Sequence, residues 1–171
     1  LGEPNQTMNI RYRPLQTDQL EEVKSIFDYY TQQTTANLLT EPMGMRDFQR
    51  LIHLDHPVYP ALTLLNEEDK IVGFCALVPY QNSLAFRRTA EAYVYIKPEY
   101  CRKGYGSVAL LQLEQQARKT GVLNLLATVT GSAPAAFRMF EQAGYIQIAW
   151  YRNIGEKFGM LLDQVVFQKA L

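Results

Sequence analysis

Cysteine is scarce in this sequence: Cys75 and Cys101 are the only two among 171 residues. Two thiols cannot build a disulfide framework, and their separation matches no metal-ligand spacing. Reduced thiols in a cytoplasmic protein are the simplest expectation. Histidine is equally rare. His53 and His56 sit three residues apart just before Pro57. A metal or general-base role needs a third partner that the neighbouring sequence does not offer; solvated residues near a helix C-terminus are the competing reading. Neither sign of charge is in excess, with Lys+Arg 17 against Asp+Glu 17, so no global field draws the chain to nucleic acid or to an anionic membrane. No apolar run is long enough to span a bilayer, and the N-terminus shows no signal-peptide pattern. Repeats, low-complexity segments and composition breaks are missing too. The chain therefore reads as an unstructured leader over 1–9 and a single domain over 10–171, long enough for a proper core.

What the chain does carry is concentrated between Glu91 and Ala117. Glu91-Ala92-Tyr93-Val94-Tyr95-Ile96 is rich in β-branched and aromatic residues and stops at Pro98, which cannot donate a ladder hydrogen bond. From Ser107 onward, Leu110, Leu113 and Ala117 fall at helical spacing. A short loop with Gly104 and Gly106 thus joins a strand to a helix. The first turn of that helix offers unsatisfied N–H groups and the positive end of its macrodipole. Glycines let that backbone approach a phosphate closely, with Arg102 and Lys103 supplying charge. An ordinary glycine-containing connection with solvated basic residues fits the same pattern. No Gly-Lys-Ser/Thr follows, so this is not a Walker A loop, and two glycines do not complete a dinucleotide fingerprint.

Around this centre the hydrophobic period predicts further elements. A first strand alternates Ile10, Tyr12 and Leu15 with polar residues, and Asp18 with Glu21 suggests a capping box for a helix to about Tyr30. A second helix is expected over Arg46–Leu54. Strands Ala61–Leu65 and Ile71–Val78 are joined by a polar hairpin loop, and Tyr80–Arg88 is a loop. Thr120-Gly121 reads as a helix C-cap. Leu123–Thr130 is apolar enough for burial on both faces. Ser132 is placed as the cap of a helix over Ala133–Ala143 with Phe137 and Phe140 inward. Strands Tyr145–Tyr151 and Leu162–Gln168 flank a loop through Gly155–Gly159.

The strand ending at Pro98, followed by Cys101-Arg102-Lys103-Gly104-Tyr105-Gly106, resembles the GNAT acyltransferase superfamily. Phe86–Ile96 and Ile154–Asp163 resemble its phosphinothricin N-acetyltransferase-like branch, and the likeness runs from about Ile10 to Gln168. The resemblance implies an α/β (α+β) fold: a mixed, mostly antiparallel twisted sheet of about six or seven strands, flanked by helices and splayed at its central strands. It implies acetyl-CoA as co-substrate, no metal, and transfer of the acetyl group to the primary amine of a small amino-acid-like acceptor by direct attack. Backbone groups of Val94, Tyr95 and Ile96 are expected to pair with the pantetheine arm, and those of Arg102, Lys103, Gly104, Tyr105, Gly106 and Ser107 to hold the pyrophosphate. Glu91 matches the carboxylate beside the acceptor, a candidate general base. Arg87 matches an arginine that clamps the acceptor's carboxylate, and Tyr80 and Tyr93 are placed at the acceptor pocket, with plain packing as their alternative. A homodimer is implied as well.

Three departures bear on chemistry. Cys101 stands where the loop usually has Gln or Arg, Ala133 and Ala136 where the branch has Asn and Ser, and Phe140 where a proton donor to the leaving thiolate is common. They keep open a non-catalytic acyl-CoA-binding or regulatory module. A protein amine acetyltransferase is a further alternative, since a closed pocket and a peptide groove look alike in sequence.

Overall fold

The computed structural model describes residues 9–171, so the expected leader lies, apart from Asn9, outside the described residues. The chain lays down β1 (Arg11–Pro14), α1 (Leu20–Gln33), α2 (Met45–Leu51), β2 (Ala61–Leu65), β3 (Ile71–Pro79) and β4 (Thr89–Ile96). Then follow α3 (Tyr105–Thr120), β5 (Asn124–Thr130), α4 (Pro134–Gln142), β6 (Ile146–Lys157) and β7 (Met160–Ala170). The seven strands form one sheet in the order β1-β2-β3-β4-β5-β7-β6. Every neighbouring pair is antiparallel except β4 with β5.

Alternation along the strands builds a core on each face of this sheet. On one side Phe74, Ala76 and Val78 of β3 meet Val23, Ile26 and Phe27 of α1 and Phe48 of α2. On the other, Cys75 and Leu77 of β3 with Ala90 and Ala92 of β4 meet Leu110, Leu113 and Ala117 of α3 and Phe140 of α4. The expected aromatic anchor of α4 holds: Phe140 stacks on Phe167, their centroids 5.9 Å apart, and Phe137 meets the same ring edge-on at 5.4 Å.

Several local expectations shift. The start of α1 is not capped by Asp18: a tight turn over Thr17–Gln19 precedes it, and Gln19 Oε1 accepts the Gln16 N–H at 3.1 Å, moving the reciprocal cap two residues upstream. Helix α2 ends at Leu51, before His53 and Asp55, which take left-handed φ of 45° and 62°. His56 closes the turn that follows, its Nδ1 accepting the N–H groups of Val58 (3.1 Å) and Tyr59 (3.3 Å). Ser132 does not cap α4. Pro134 opens that helix, and the Ser132 hydroxyl instead bonds Thr35 (2.8 Å) and Thr130 (3.2 Å).

The loop expected over Gly155–Gly159 is mostly strand. Phe158 (φ 54°) and Gly159 (φ 71°) alone make the hairpin turn. Both are left-handed, the geometry whose twist suits a two-residue hairpin. Gly155 sits in β6 at a register shift against Leu38, whose Cδ2 would lie 3.0 Å from an added Cβ.

At Gly73 the strands β3 and β4 approach too closely for any side chain: an added Cβ would lie 2.5 Å from the Tyr95 carbonyl oxygen and 2.8 Å from Ile96 Cδ1. The contact fixes the far end of β4. Gly73→Ala is expected to lower unfolding free energy by about 1–3 kcal/mol, read as a lower urea midpoint. An unchanged midpoint would show that this approach is not a constraint.

Candidate active site at the split between two strands

Strand β4 runs antiparallel to β3 along its whole length, from Pro79↔Ala90 to Gly73↔Ile96. Its parallel pairing with β5 covers only Thr89↔Asn124, Ala90↔Leu125 and Glu91↔Leu126, and then stops. Beyond Glu91 the edge of β4 facing β5 has no ladder, while β5 stays paired to β7 through Thr130. This explains why β5 is not buried throughout, as its apolarity suggested: Leu125, Leu126 and Ala127 are buried, but Thr128 is exposed. Two clefts open at the split, one on each face of the sheet.

The first, of about 410 Å³, lies on the α3–α4 side. Its walls are apolar, from Val94, Ala133, Ala136, Met139 and Phe140, and Arg102, Gly104 and Ser107 stand at its polar end. Helix α3 begins at Tyr105, two residues earlier than its apolar period suggested, so Gly106 belongs to the first helical turn and only Gly104 to the loop. Gly104 adopts φ 86°, a conformation open chiefly to glycine, and no side chain caps the helix. The first intrahelical acceptor, Gly104 O, is taken by Val108 N–H. The amides of Tyr105, Gly106 and Ser107 are thus free of helical partners and lie at the positive end of the dipole. Arg102, itself at φ 60°, adds a second left-handed residue to this concave run of backbone. Gly106 has a different use: an added Cβ would meet Met139 Sδ at 2.9 Å, so its absence leaves room between α3 and α4.

The second cleft, of about 490 Å³, lies on the α1 side and is lined by Tyr80, Glu91, Tyr93 and Tyr95 together with Asn37, Tyr151 and Gln164. Alternation on β4 puts Glu91, Tyr93 and Tyr95 on this face. Glu91 is its one carboxylate; burial holds its carboxyl above the usual range, and no cation offsets the effect. Burial likewise raises the phenol of Tyr93, with the charge of Glu91 adding to it. Ala36, Tyr93, Tyr95, Thr128 and Val129 line both clefts, so the two meet through the split.

The structure thus gathers Glu91 and Tyr80 in one cleft and Val94, Ile96, Arg102, Gly104, Gly106 and Ser107 in the other, with Tyr93 and Tyr95 in both. It does not bring Arg87 to either. That side chain is exposed, and its Nη1 donates to Leu84 O at 3.4 Å. Lys103 and Tyr105 also stand outside the lining: Lys103 Nζ lies 5.4 Å from the Tyr100 ring centroid, and Tyr105 packs edge-on to that ring. Cys101 at the cleft wall lies 3.4 Å from the Tyr30 hydroxyl, which donates to Ile96 O. Sequence reasoning missed Tyr30 and the segment Ala36–Leu38. The segment showed no period, and its one local signal is Asn37, whose Oδ1 accepts the Leu39 N–H at 3.2 Å.

Among the described residues no group of three or more His, Cys, Asp and Glu side chains gathers to hold a metal, and no helix is long and apolar enough to cross a membrane.

Comparison with known proteins adds independent support. Phosphinothricin N-acetyltransferase of Streptomyces coelicolor is 24% identical over 169 residues, covering 96% of this chain and 98% of that protein. The L-methionine sulfoximine/L-methionine sulfone acetyltransferase of Salmonella typhimurium is 31% identical over 114 residues, 66% of each. Among solved structures, a GNAT superfamily phosphinothricin acetyltransferase from Sinorhizobium meliloti superposes with a TM-score of 0.88 at 21% identity, covering 96% of this chain and 89% of that one. That likeness is one of fold. Residues 23–145 match the family described as Acetyltransferase (GNAT) family, and with the split sheet and the uncapped α3 turn in place, the chain belongs to the GNAT acetyltransferase family.

Proposed function

We propose that the protein is an N-acetyltransferase that moves the acetyl group of acetyl-CoA to the primary amine of a small, amino-acid-like acceptor within a ternary complex. The observation that carries this reading is the pair of clefts with a common wall, one ending in an anion cradle and the other holding a carboxylate. The names of the relatives from Streptomyces coelicolor and Salmonella typhimurium supply the acceptor class. Acetyl-CoA fits the first cleft: the amides at Tyr105–Ser107 with Arg102 suit its diphosphate, and the apolar wall of Val94, Ala136 and Met139 suits its pantetheine arm. The unladdered edge of β4 over Val94–Ile96 offers backbone groups to the amides of that arm. When bound, it supplies an acetyl group already activated as a thioester.

Glu91 takes the amine's proton, directly or through water, as the nitrogen closes on the acetyl carbon. Tyr80 and Tyr93 shape the space around that amine. Arg87 is the clamp for an acceptor carboxylate in this proposal, its exposed loop turning inward as the acceptor binds. A homodimer is part of the proposal, supported by the edge strand β6, whose Ile146 and Ile154 are 71% and 56% exposed. A cytoplasmic location is supported by the two free thiols. The second reading, an acyl-CoA-binding module without turnover, draws on α4 and its N-cap, where Ala133, Ala136, Met139 and Phe140 bring no proton donor to the donor cleft.

Thiol release from acetyl-CoA, measured against a panel of amino acids and amines, separates the two readings. Turnover with at least one acceptor is expected; tight binding of acetyl-CoA with no turnover would leave the binding module. Gly104→Val forces a β-branched residue into left-handed backbone and disturbs the cradle. Affinity for acetyl-CoA is expected to fall by about tenfold or more, and an unchanged affinity would displace the cradle from the diphosphate. Glu91→Gln is expected to lower kcat/KM by about 10²–10⁴-fold. In the unsubstituted enzyme the rate should climb with pH as this carboxyl ionises, at a pH above its ordinary value of 4.5. A variant with the same rate and the same acid limb would remove Glu91 as the base.

A further inference from the structure

A group can pass between the clefts only across their common wall, Ala36, Tyr93, Tyr95, Thr128 and Val129. The sulfur that leaves the acetyl group must therefore end beside this wall. Three of these residues carry hydroxyls. Thr128 is too weak an acid to hold an anion well, and the negative Glu91 acts on the phenols of Tyr93 and Tyr95 alike. The Tyr30 hydroxyl, elsewhere in the donor cleft, is already committed to Ile96 O.

Tyr95 is placed differently. Its ring is stacked on Phe74, with centroids 5.4 Å apart and planes 11° from parallel, and Phe27 meets it edge-on at 5.0 Å. Its orientation is thereby fixed. Asn37 lines the same cleft as Tyr95, and its Nδ2 donates to Thr31 Oγ1 at 3.1 Å. Behind Asn37 stands Lys157, whose Nζ donates to the Asn37 carbonyl oxygen at 3.0 Å and to Oδ1 at 3.3 Å. Lys157 is 2% exposed, and no carboxylate among the described residues pairs with it. A buried cation with only neutral partners favours negative charge nearby, and Asn37, which holds it, lines the cleft that Tyr95 lines. The groups around the phenol are Glu91 and Tyr93 on its own strand, Tyr30 on α1 and Lys157 on β6.

We propose that the Tyr95 hydroxyl is the hydrogen-bond donor that holds the departing sulfur, with Asn37 and Lys157 as the positioning residues behind it. This rests on the acetyl-transfer reading. As the amine nitrogen bonds to the acetyl carbon, its proton passes to Glu91, the carbon–sulfur bond breaks, and the electron pair goes to sulfur. The thiolate accepts a hydrogen bond from Tyr95 and afterwards takes a proton from water, and the hydroxide so formed takes back the proton held by Glu91, giving the free thiol, the acetylated amine and the carboxylate restored. Burial raises the Tyr95 phenol to about 12, the Asn37 side chain working the other way. An alkyl thiol ionises near ~8.5, so this phenol shares its proton with the thiolate without surrendering it.

The test needs no knowledge of the acceptor. CoA, the thiol product, is bound to the protein, and thiolate absorbance is followed against pH, with the same protein lacking CoA as blank. The bound thiol is expected to ionise about tenfold more readily on the unsubstituted protein than on Tyr95→Phe, the worth of one hydrogen bond to a charged group. Tyr93→Phe should leave that titration in place, and Lys157→Met should move it in the same direction as Tyr95→Phe. Equal titrations for the unsubstituted protein and Tyr95→Phe, with CoA bound to both, would overturn the assignment and leave the acetyl-transfer reading standing. A shift in Tyr93→Phe alone would overturn it in favour of Tyr93. If Tyr95→Phe binds no CoA, the Lys157→Met titration decides. If the unsubstituted protein itself binds no CoA, the acetyl-transfer reading falls and takes this one with it.

Discussion

The site depends on where hydrogen bonding between β4 and β5 ends. Three residue pairs hold the strands together, and after Glu91↔Leu126 they part. A sheet interior rarely leaves backbone groups unmatched, because a buried unpaired N–H or C=O carries a cost comparable to a lost hydrogen bond. Here the unmatched edge of β4 lines a cleft, so a ligand with amide groups can complete the ladder. The parallel arrangement has a second consequence. It requires a crossover helix, and α3 begins directly beyond the end of β4, so its free amides face the same cleft. One interruption in a sheet thus supplies a channel, an anion cradle and a passage to the opposite face.

The period-2 geometry of β4 then divides the chemistry. Ala90, Ala92 and Ile96 face the α3–α4 core, while Glu91, Tyr93 and Tyr95 face the α1 side. A slip of one residue in the β3–β4 register would exchange these sets and turn the carboxylate away from the cleft on the α1 side. Gly73 guards that register at one end through its contact with the Tyr95 carbonyl. The chain has no net charge, so attraction for an anionic donor rests on local features, namely the α3 dipole and Arg102.

The central strand, the glycine loop and the helix after it were legible because each has a local physical signature: β-branched and aromatic residues closed by Pro98, then Gly104, then an apolar stripe ending at Gly121. Glu91 could be picked out only through family resemblance, yet period 2 places it correctly beside Tyr93. Less legible were features set by distant contacts. The segment Ala36–Leu38 has no period, and it joins the site because Asn37 is held by Lys157, 120 residues away. Gly155 looked like part of a loop because glycine and polar neighbours suggest one; its pairing with Leu162 of β7 makes it strand instead. Ser132 looked like a cap, but Pro134 starts the helix without it. Arg87 matched a family position in sequence, and its loop keeps it at the surface, outside both clefts.

The most direct test of the split-sheet account is a crystal structure of the protein grown with acetyl-CoA. The account predicts the diphosphate on the amides of Tyr105–Ser107, the pantetheine arm along the open edge of β4, and the acetyl group at the wall shared by Tyr93, Tyr95 and Thr128. A diphosphate lodged away from the start of α3, or an acetyl group pointing out of the split, would contradict it.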